Sequence, residues 1–124
     1  MKSLLLLAAA LSAPAFAQTA TDLQIKRGQL LFLQCKACHN INAGEPDKLG
    51  PNLHGIVGAK AGARANFAYS AAMQASGLVW NAATLDSYLA APAKKVPGTK
   101  MTFGGVAAEA DRIAIIAYLA DAAK

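Results

Sequence analysis

Cys35-Lys36-Ala37-Cys38-His39 is the stretch that decides the fold, and the other segments can be arranged around it. Two thiols separated by two residues can add to the vinyl groups of one haem, and the adjacent imidazole can then bind the iron as an axial ligand. The short gap matters because one helical turn must present both sulfurs to the same porphyrin edge. The pentapeptide therefore favours a covalent haem site formed by Cys35, Cys38 and His39.

Two other kinds of site use the same cysteine spacing. Cys-x-x-Cys is also the redox pair of thioredoxin-like oxidoreductases, in which a histidine can follow by chance. It can form half of a structural zinc site, but two more ligands are then needed and only His54 remains. A disulfide between Cys35 and Cys38 would close a very small loop and would stabilise the fold little. The thiol pair and zinc therefore remain alternatives to haem at this point.

Residues 1–17 have the pattern of a secretory signal peptide. Lys2 supplies a positive start, residues 4–11 form an apolar run, and Ala15-Phe16-Ala17 is a small-x-small cleavage site. The apolar run is too short to span a bilayer, which makes a membrane anchor the weaker interpretation. We therefore expect cleavage after Ala17, a location in the periplasm, and one small domain formed by residues 18–124.

Helical periodicity predicts that the longest helices lie at the two ends of this domain. The first should begin at Thr21, where Thr21-x-x-Gln24 fits a capping box, and run to about Gln34. The last should cover roughly residues 107–122. The expected apolar stripes are Leu23, Leu30, Leu31 and Phe32 in the first helix, and Ile113, Ile116, Ala117 and Tyr118 in the last.

Between these helices, glycines and prolines predict long loops at residues 40–64 and 92–105. Short helices separate the loops, because Ser70 can cap one helix and Asn81 can cap a second over residues 82–90. No strand-like alternation stands out. The sequence therefore predicts a small all-α domain with long loops, which disfavours a thioredoxin-like sheet.

A haem with one histidine ligand either has a second axial ligand or leaves an open face. His54, Met73 and Met101 are the candidates outside the leader. Met73 lies in a helical context, where methionine usually fills core space. Met101 lies in a loop whose Pro97-Gly98 turn could present a thioether inward. The residue pattern alone leaves the second ligand open.

The order of four motifs resembles class I cytochrome c, the family of the mitochondrial protein and its soluble bacterial relatives. The motifs are the Cys-x-x-Cys-His run, Gly-Pro-Asn-Leu-His-Gly at residues 50–55, Trp80, and Pro-Gly-Thr-Lys-Met at residues 97–101. The resemblance covers essentially the whole mature chain. It implies a small cytochrome c fold, in which the N- and C-terminal helices pack together and short helices and long loops surround one haem. It also implies a one-electron carrier and not an enzyme.

The same resemblance implies the residues that hold the iron. Cys35 and Cys38 would carry the thioethers, and His39 would be the proximal ligand. Met101 matches the methionine ligand of the family. Pro51 would offer its carbonyl to the imidazole N–H of His39, a bond that orients the ring and raises its basicity.

Further residues match the surroundings of the haem in the family. Tyr69 and Trp80 match residues that hydrogen-bond a buried haem propionate. Tyr88 matches a hydroxyl that contacts the ligand sulfur, and Thr99 matches a polar residue nearby. His54 matches a surface residue, so the resemblance gives it no ligand role.

Two positions depart from the family pattern, and one supports it. Gly28 matches the packing of the first against the last helix, which favours a close approach at this glycine. Ala59 stands where many relatives carry an arginine near the propionates, so charge compensation is missing or comes from Arg64 or Lys60. Met73 stands where an asparagine often helps to hold a buried water. Both departures bear on the reduction potential.

The chain has a formal net charge of +5 and no nucleic-acid-binding module. Five lysines flank the predicted cofactor loops, and the resemblance implies a docking face of this kind around an exposed haem edge. Such a face would steer acidic redox partners, which could be a membrane oxidase, a bc1-type complex, a reaction centre or a periplasmic reductase. The chain is expected to be a monomer. The five lysines are Lys36, Lys48, Lys94, Lys95 and Lys100.

Overall fold

The computed structural model describes residues 9–10 and 16–124. The predicted signal peptide lies largely outside these residues. The described part forms no strand, and its one isolated bridge joins Lys60 to Val79, so the predicted all-α fold is confirmed. No described helix is both long and apolar enough to cross a membrane. The helices are α1 (Phe16–Leu31), α2 (Ala71–Ala75), α3 (Ala82–Ala90), α4 (Pro92–Lys95) and α5 (Glu109–Ala122), with a 3₁₀ turn at Phe32–Gln34 after α1.

Two helix starts differ from those the sequence predicts, and one short helix was not predicted. Helix α1 begins at Phe16, so Thr21 is an interior position and the predicted helix start at Thr21 is wrong. The alanines upstream of Thr21 are good helix formers, which favours the longer helix. Helix α5 begins at Glu109, two residues later than expected. Helix α4 lies where a loop was expected, because Pro92 occupies the first turn, where its missing N–H and fixed φ are tolerated.

The buried faces of α1 and α5 match the predicted stripes only in part. Leu23 and Leu30 of α1 are largely exposed, and so is Ile113 of α5. Leucine and isoleucine occur on both faces of these helices, so composition alone does not decide which face packs. The predicted Leu31, Phe32 and Tyr118 do pack into the core. They are joined there by Ile25, Ala114, Ile115 and Leu119.

Gly28 fixes which faces of α1 and α5 meet, because it lets the backbones of the two helices come into contact. A Cβ at Gly28 would overlap the carbonyl group of Ala114 and would lie 2.8 Å from Cβ of Tyr118. The Tyr118 ring packs on Phe32 with ring centroids 5.4 Å apart. The close approach predicted at Gly28 is therefore confirmed.

The caps of the two short helices form as predicted. The Ser70 hydroxyl accepts the N–H of Met73 at 3.0 Å and starts α2. Asn81 and Thr84 form a reciprocal capping box, with both side-chain bonds at 2.9 Å, and start α3. These caps fix the helices that contribute Met73 and Tyr88 to the core.

The buried apolar residues fall into two clusters. The first cluster joins the ends of the chain, and the second cluster joins the loops to α2 and α3. The first cluster is Phe32, Ile41, Val106, Ile115, Tyr118, Leu119 and Ala123; the second cluster is Ala61, Met73, Trp80, Leu85, Tyr88 and Val96.

Candidate functional site

A cavity of about 590 Å³ is bordered by residues of both clusters. Apolar side chains form most of its wall, and few polar groups point into the space. A pocket of this size and character is typical of a site for a large, mainly apolar ligand. All nine residues that the sequence assigns to the site line this cavity: Cys35, Cys38, His39, Pro51, Tyr69, Trp80, Tyr88, Thr99 and Met101.

His39 is held in one orientation by its neighbours. Its Nδ1 lies 2.7 Å from the carbonyl oxygen of Pro51. Since that oxygen can only accept, Nδ1 carries the proton and Nε2 keeps a free lone pair. Gly50 lies against the ring, because a Cβ there would be 2.8 Å from both ring nitrogens. Glycine therefore leaves the space that the imidazole occupies.

The electrostatic surroundings keep this imidazole neutral. Burial lowers the pKa of His39 below its ordinary value, the bond to Pro51 raises it, and the charge of Lys48 lowers it further. The net direction is downward, so His39 is uncharged at neutral pH. A neutral imidazole with a free Nε2 is the form that binds a metal ion.

The two cysteines lie on one helical turn, as the pentapeptide predicts. The N–H groups of Cys38 and His39 both donate to the carbonyl oxygen of Cys35, at 3.0 and 2.9 Å. Both cysteines are free thiols and partly buried. Burial, followed by the nearby Cys38, raises the pKa of Cys35. A reactive redox cysteine has a lowered pKa, so this environment disfavours the thiol–disulfide alternative.

Met101 lies on a different segment of the same cavity wall. It is partly buried and packs against the second cluster. Its backbone N–H approaches the hydroxyl oxygen of Thr99 at 3.4 Å, and that hydroxyl lies 2.7 Å from the hydroxyl of Tyr88. The Tyr88 ring packs on Trp80 with centroids 5.1 Å apart. Tyr88 and Thr99 therefore form a hydrogen-bonded pair beside Met101, and contact between Tyr88 and the Met101 sulfur stays a prediction.

The other candidate ligands differ in their surroundings. His54 is exposed at the edge of the cavity. Met73 is buried in the second cluster and also lines the cavity, in keeping with its prediction as core filler. Ala59, Lys60 and Arg64 line the cavity as well, so the two basic residues predicted to compensate for Ala59 are both at its wall.

Sequence reasoning missed a hydrogen-bond network behind Pro51. Asn52 is 4 % exposed, and its Nδ2 donates to the carbonyl oxygens of Asn42 at 2.7 Å and Glu45 at 2.9 Å. The Asp47 carboxylate accepts the backbone N–H of Asn52 at 2.7 Å and the Nε–H of Arg64 at 2.9 Å. The buried backbone groups of a long loop need hydrogen-bond partners, and a polar side chain inside the loop can supply them. This requirement could have indicated Asn52 from the sequence.

The five lysines of the predicted docking face are all exposed, and none forms a salt bridge with a described residue. Lys100 lines the cavity and donates to the Ala68 carbonyl at 3.2 Å. Lys48 donates to the carbonyl of Lys36 at 2.5 Å, beside a second cavity of about 230 Å³. The remaining pair, Lys94 and Lys95, lies on α4.

The residues around the main cavity fit a covalently attached haem. Two thiols on one turn and a neutral imidazole lie on its wall, and Gly50 leaves room for the ring of His39. The apolar remainder of the wall fits a porphyrin, and the sulfur of Met101 is a further soft donor.

Comparison with known proteins points to one family. The profile of the family described as Cytochrome c matches residues 25–123. Cytochrome c2 of Rhodoblastus acidophilus is 54 % identical over 92 residues, which cover 74 % of this chain and 86 % of that protein. Cytochrome c2 of Rhodomicrobium vannielii is 48 % identical over 94 residues, covering 76 % and 75 %. The solved structure of cytochrome cH from Methylobacterium extorquens is 47 % identical, with a TM-score of 0.74, covering 78 % of this chain and 97 % of that one.

Proposed function

The chain belongs to the cytochrome c family, and from this premise we propose that it is a periplasmic electron carrier whose iron is bound by His39 and Met101. As a member of the family it carries one covalent c-type haem and transfers electrons, and it is not an enzyme. The observation that carries the proposed ligation is that an oriented, neutral imidazole and a loop methionine line one apolar cavity.

His39 and Met101 would together determine which chemistry is open to the site. When bound, haem supplies an iron that changes oxidation state by one electron. If His39 and Met101 both bound the iron, no position would be left for oxygen, and the site would support electron transfer. The thioether of Met101 is a soft donor that favours the ferrous state and a positive reduction potential.

The remaining residues of the site would hold this arrangement rigid. Cys35 and Cys38 would form the thioether links, and the carbonyl of Pro51 would keep His39 oriented. Tyr88 and Thr99 would steady the segment that carries Met101.

Tyr69 and Trp80 would serve as hydrogen-bond donors to a propionate. Burial raises the pKa of Tyr69, so its phenol keeps the proton that such a bond requires. The indole N–H of Trp80 can act only as a donor. Both residues line the cavity, which supports this role.

The axial ligands are tested by the spectrum of the haem-loaded protein. We expect a low-spin spectrum with the weak far-red sulfur-to-iron band in the oxidised state. Met101→Ala should abolish that band, whereas Met73→Leu, which alters the other methionine on the cavity wall, should retain it. A band that persists in Met101→Ala would exclude Met101 as the ligand.

The periplasmic location is tested by expression with residues 1–17 in a Gram-negative host. We expect the haem-stained protein in the periplasmic fraction, with Gln18 as its N-terminal residue. A variant that lacks residues 2–17 should stay in the cytoplasm without covalent haem. Recovery of the haem-loaded protein with an intact leader would contradict the predicted cleavage after Ala17.

The partners would be acidic redox proteins that dock on the exposed lysines. Lys94→Glu with Lys95→Glu should slow electron transfer to a membrane oxidase at low salt, because docking of opposite charges is steered electrostatically. Lys26→Glu with Lys124→Glu changes the charge equally at exposed positions that are not among the five lysines of the docking face, and this control should have a smaller effect. Equal effects of the two pairs would argue against a specific docking face.

A further inference from the structure

The peptide unit between Pro51 and Asn52 is hydrogen-bonded at both of its ends. Its carbonyl oxygen accepts the Nδ1–H of His39 at 2.7 Å. Its N–H donates to Oδ1 of Asp47, also at 2.7 Å. A single planar, conjugated group therefore lies between a carboxylate and the imidazole that faces the cavity.

We propose that Asp47 is a positioning residue that acts on His39 through the Pro51–Asn52 peptide and strengthens the imidazole as a donor to iron. This inference rests on the proposed role of His39 as an axial ligand. It assigns a function to a carboxylate that does not itself line the main cavity.

The physical reason is polarisation along a chain of hydrogen bonds. A carboxylate that accepts an amide N–H forms a charge-assisted bond and draws positive charge toward the nitrogen end of the peptide. The carbonyl oxygen then becomes more negative, and hydrogen bonds in such chains strengthen one another by roughly 10–30 %. A stronger bond at Nδ1–H gives the imidazole more negative charge, which favours ferric iron and lowers the reduction potential.

We call the hydrogen-bond chain from Asp47 through the Pro51–Asn52 peptide to His39 the relay. The surrounding loop keeps this peptide in place. The buried side chain of Asn52 is fixed by two backbone carbonyls, and its Oδ1 accepts the N–H of His54 at 2.8 Å. Rotation of the Pro51–Asn52 peptide would break these bonds. The relay therefore has one defined geometry.

Arg64 opposes the effect of Asp47. Its Nε–H donates to the same Oδ1 atom at 2.9 Å, so the positive charge withdraws electron density from the carboxylate. Asp47 and Arg64 have side chains 25 % and 38 % exposed, so solvent weakens their pairing. Asp47 and Arg64 therefore have opposite effects on the Pro51–Asn52 peptide.

The test compares Asp47→Asn with Glu45→Gln in the haem-loaded protein. Asparagine keeps the acceptor oxygen and the shape but removes the charge. Glu45→Gln removes one charge from the same loop, and the Glu45 carboxylate bonds to Asn42 and not to the Pro51–Asn52 peptide. The two variants therefore match in overall charge and differ in the relay.

Two quantities are measured: the reduction potential, and the proton resonance of His39 Nδ1–H in the diamagnetic ferrous protein. Asp47→Asn should raise the potential and move the Nδ1–H resonance upfield, because its hydrogen bond becomes weaker. Glu45→Gln should raise the potential less and leave the resonance unchanged. Arg64→Gln should move both quantities in the opposite direction to Asp47→Asn.

An unchanged Nδ1–H resonance in Asp47→Asn, or equal resonance shifts in Asp47→Asn and Glu45→Gln, would overturn the relay. That result would leave the proposed function intact as long as the wild-type protein shows covalent haem and the far-red band. Loss of the band in the wild-type protein would instead contradict the ligation by Met101. The two failures are therefore distinguishable.

Discussion

Helices α1 and α5 meet with no space left for a single methyl group at Gly28, whereas the cavity wall combines the apolar second cluster with hydrogen bonds that orient single side chains. The first cluster contains the tightly packed contact between Phe32 and Tyr118. Around the cavity, the carbonyl of Pro51 holds His39 and the hydroxyls of Tyr88 and Thr99 bond to each other.

Apolar packing and hydrogen bonds contribute differently to this protein: packing stabilises the fold, and hydrogen bonds position individual atoms. Apolar packing supplies most of the folding free energy, and a cavity or an overlap in it is costly. A single hydrogen bond contributes only about 1 kcal/mol to stability but fixes an atom within a few tenths of an ångström. We therefore expect changes at the helix pair to act on stability, and changes around the cavity to act mainly on the site.

The largest loss of stability is expected at the centre of the first cluster. Phe32 is 1 % exposed, so Phe32→Ala should lower the free energy of unfolding by about 3–5 kcal/mol. The neighbouring Leu33 is 58 % exposed, and Leu33→Ala should cost about 0.5 kcal/mol or less. Urea unfolding of the haem-loaded proteins measures both. Similar losses at the two positions would contradict the assignment of Phe32 to the core.

The next effect tests the backbone contact at Gly28. Alanine is the better helix former, yet its Cβ would overlap the Ala114 carbonyl, so Gly28→Ala should cost about 2–3 kcal/mol. Gly104→Ala is the matched control, because a Cβ at Gly104 meets nothing within 4 Å and the change should be nearly neutral. A stabilised Gly28→Ala variant would mean that α1 and α5 can move apart at little cost.

The helix starts that the sequence predicted correctly are those fixed by local chemistry. Ser70 and Asn81 each bond to an N–H within three residues, so the signal is contained in a few neighbouring letters. The buried stripe of α1 was predicted only in part, since Leu31 and Phe32 pack into the first cluster while Leu23 is 61 % exposed. The rest of the stripe depends on the contact with α5 at the other end of the domain, which local periodicity does not report.

The residues of the site also differ in whether neighbouring sequence alone could predict their roles. Cys35, Cys38 and His39 form one contiguous motif whose chemistry is readable from spacing. The role of Met101 followed from the resemblance to a family, because a lone loop methionine carries little signal by itself. The ion pair of Asp47 and Arg64 joins residues 17 positions apart and has no motif, so only the structure reveals it.

Arg112 joins the two regions, and its loss should have an intermediate effect. Its guanidinium donates to Asp86 of α3 at 2.7 Å and to the carbonyl oxygens of Val106 at 3.0 Å and Ala107 at 2.9 Å. The side chain is only 12 % exposed, and Arg112→Ala should cost about 2 kcal/mol.

Arg27→Ala is the control for Arg112, and its effect is also measured by urea unfolding. Arg27 pairs with Asp111, but its side chain is 61 % exposed, so the loss should be between about 0 and 1 kcal/mol. If Arg27→Ala cost as much as Arg112→Ala, burial would not be what gives the Arg112 contacts their strength.

Apart from the control variants, the smallest change in stability should come from the pair beside Met101. Tyr88→Phe keeps the ring on Trp80 and removes the 2.7 Å bond to Thr99, at a cost of about 1 kcal/mol. Thr99→Val keeps the shape of the side chain, and a double-mutant cycle with Tyr88→Phe isolates the bond. A coupling of about 1 kcal/mol is expected from this hydrogen bond.

The same cycle separates stability from ligand positioning. Because the Thr99 hydroxyl also accepts the N–H of Met101 at 3.4 Å, both single variants should shift the far-red band while the protein stays folded. Zero coupling together with an unchanged band would show that the Tyr88–Thr99 bond does not hold the Met101 segment. The division between a packed helix pair and a hydrogen-bonded cavity wall would then fail at this point, since packing alone would be enough to position the methionine.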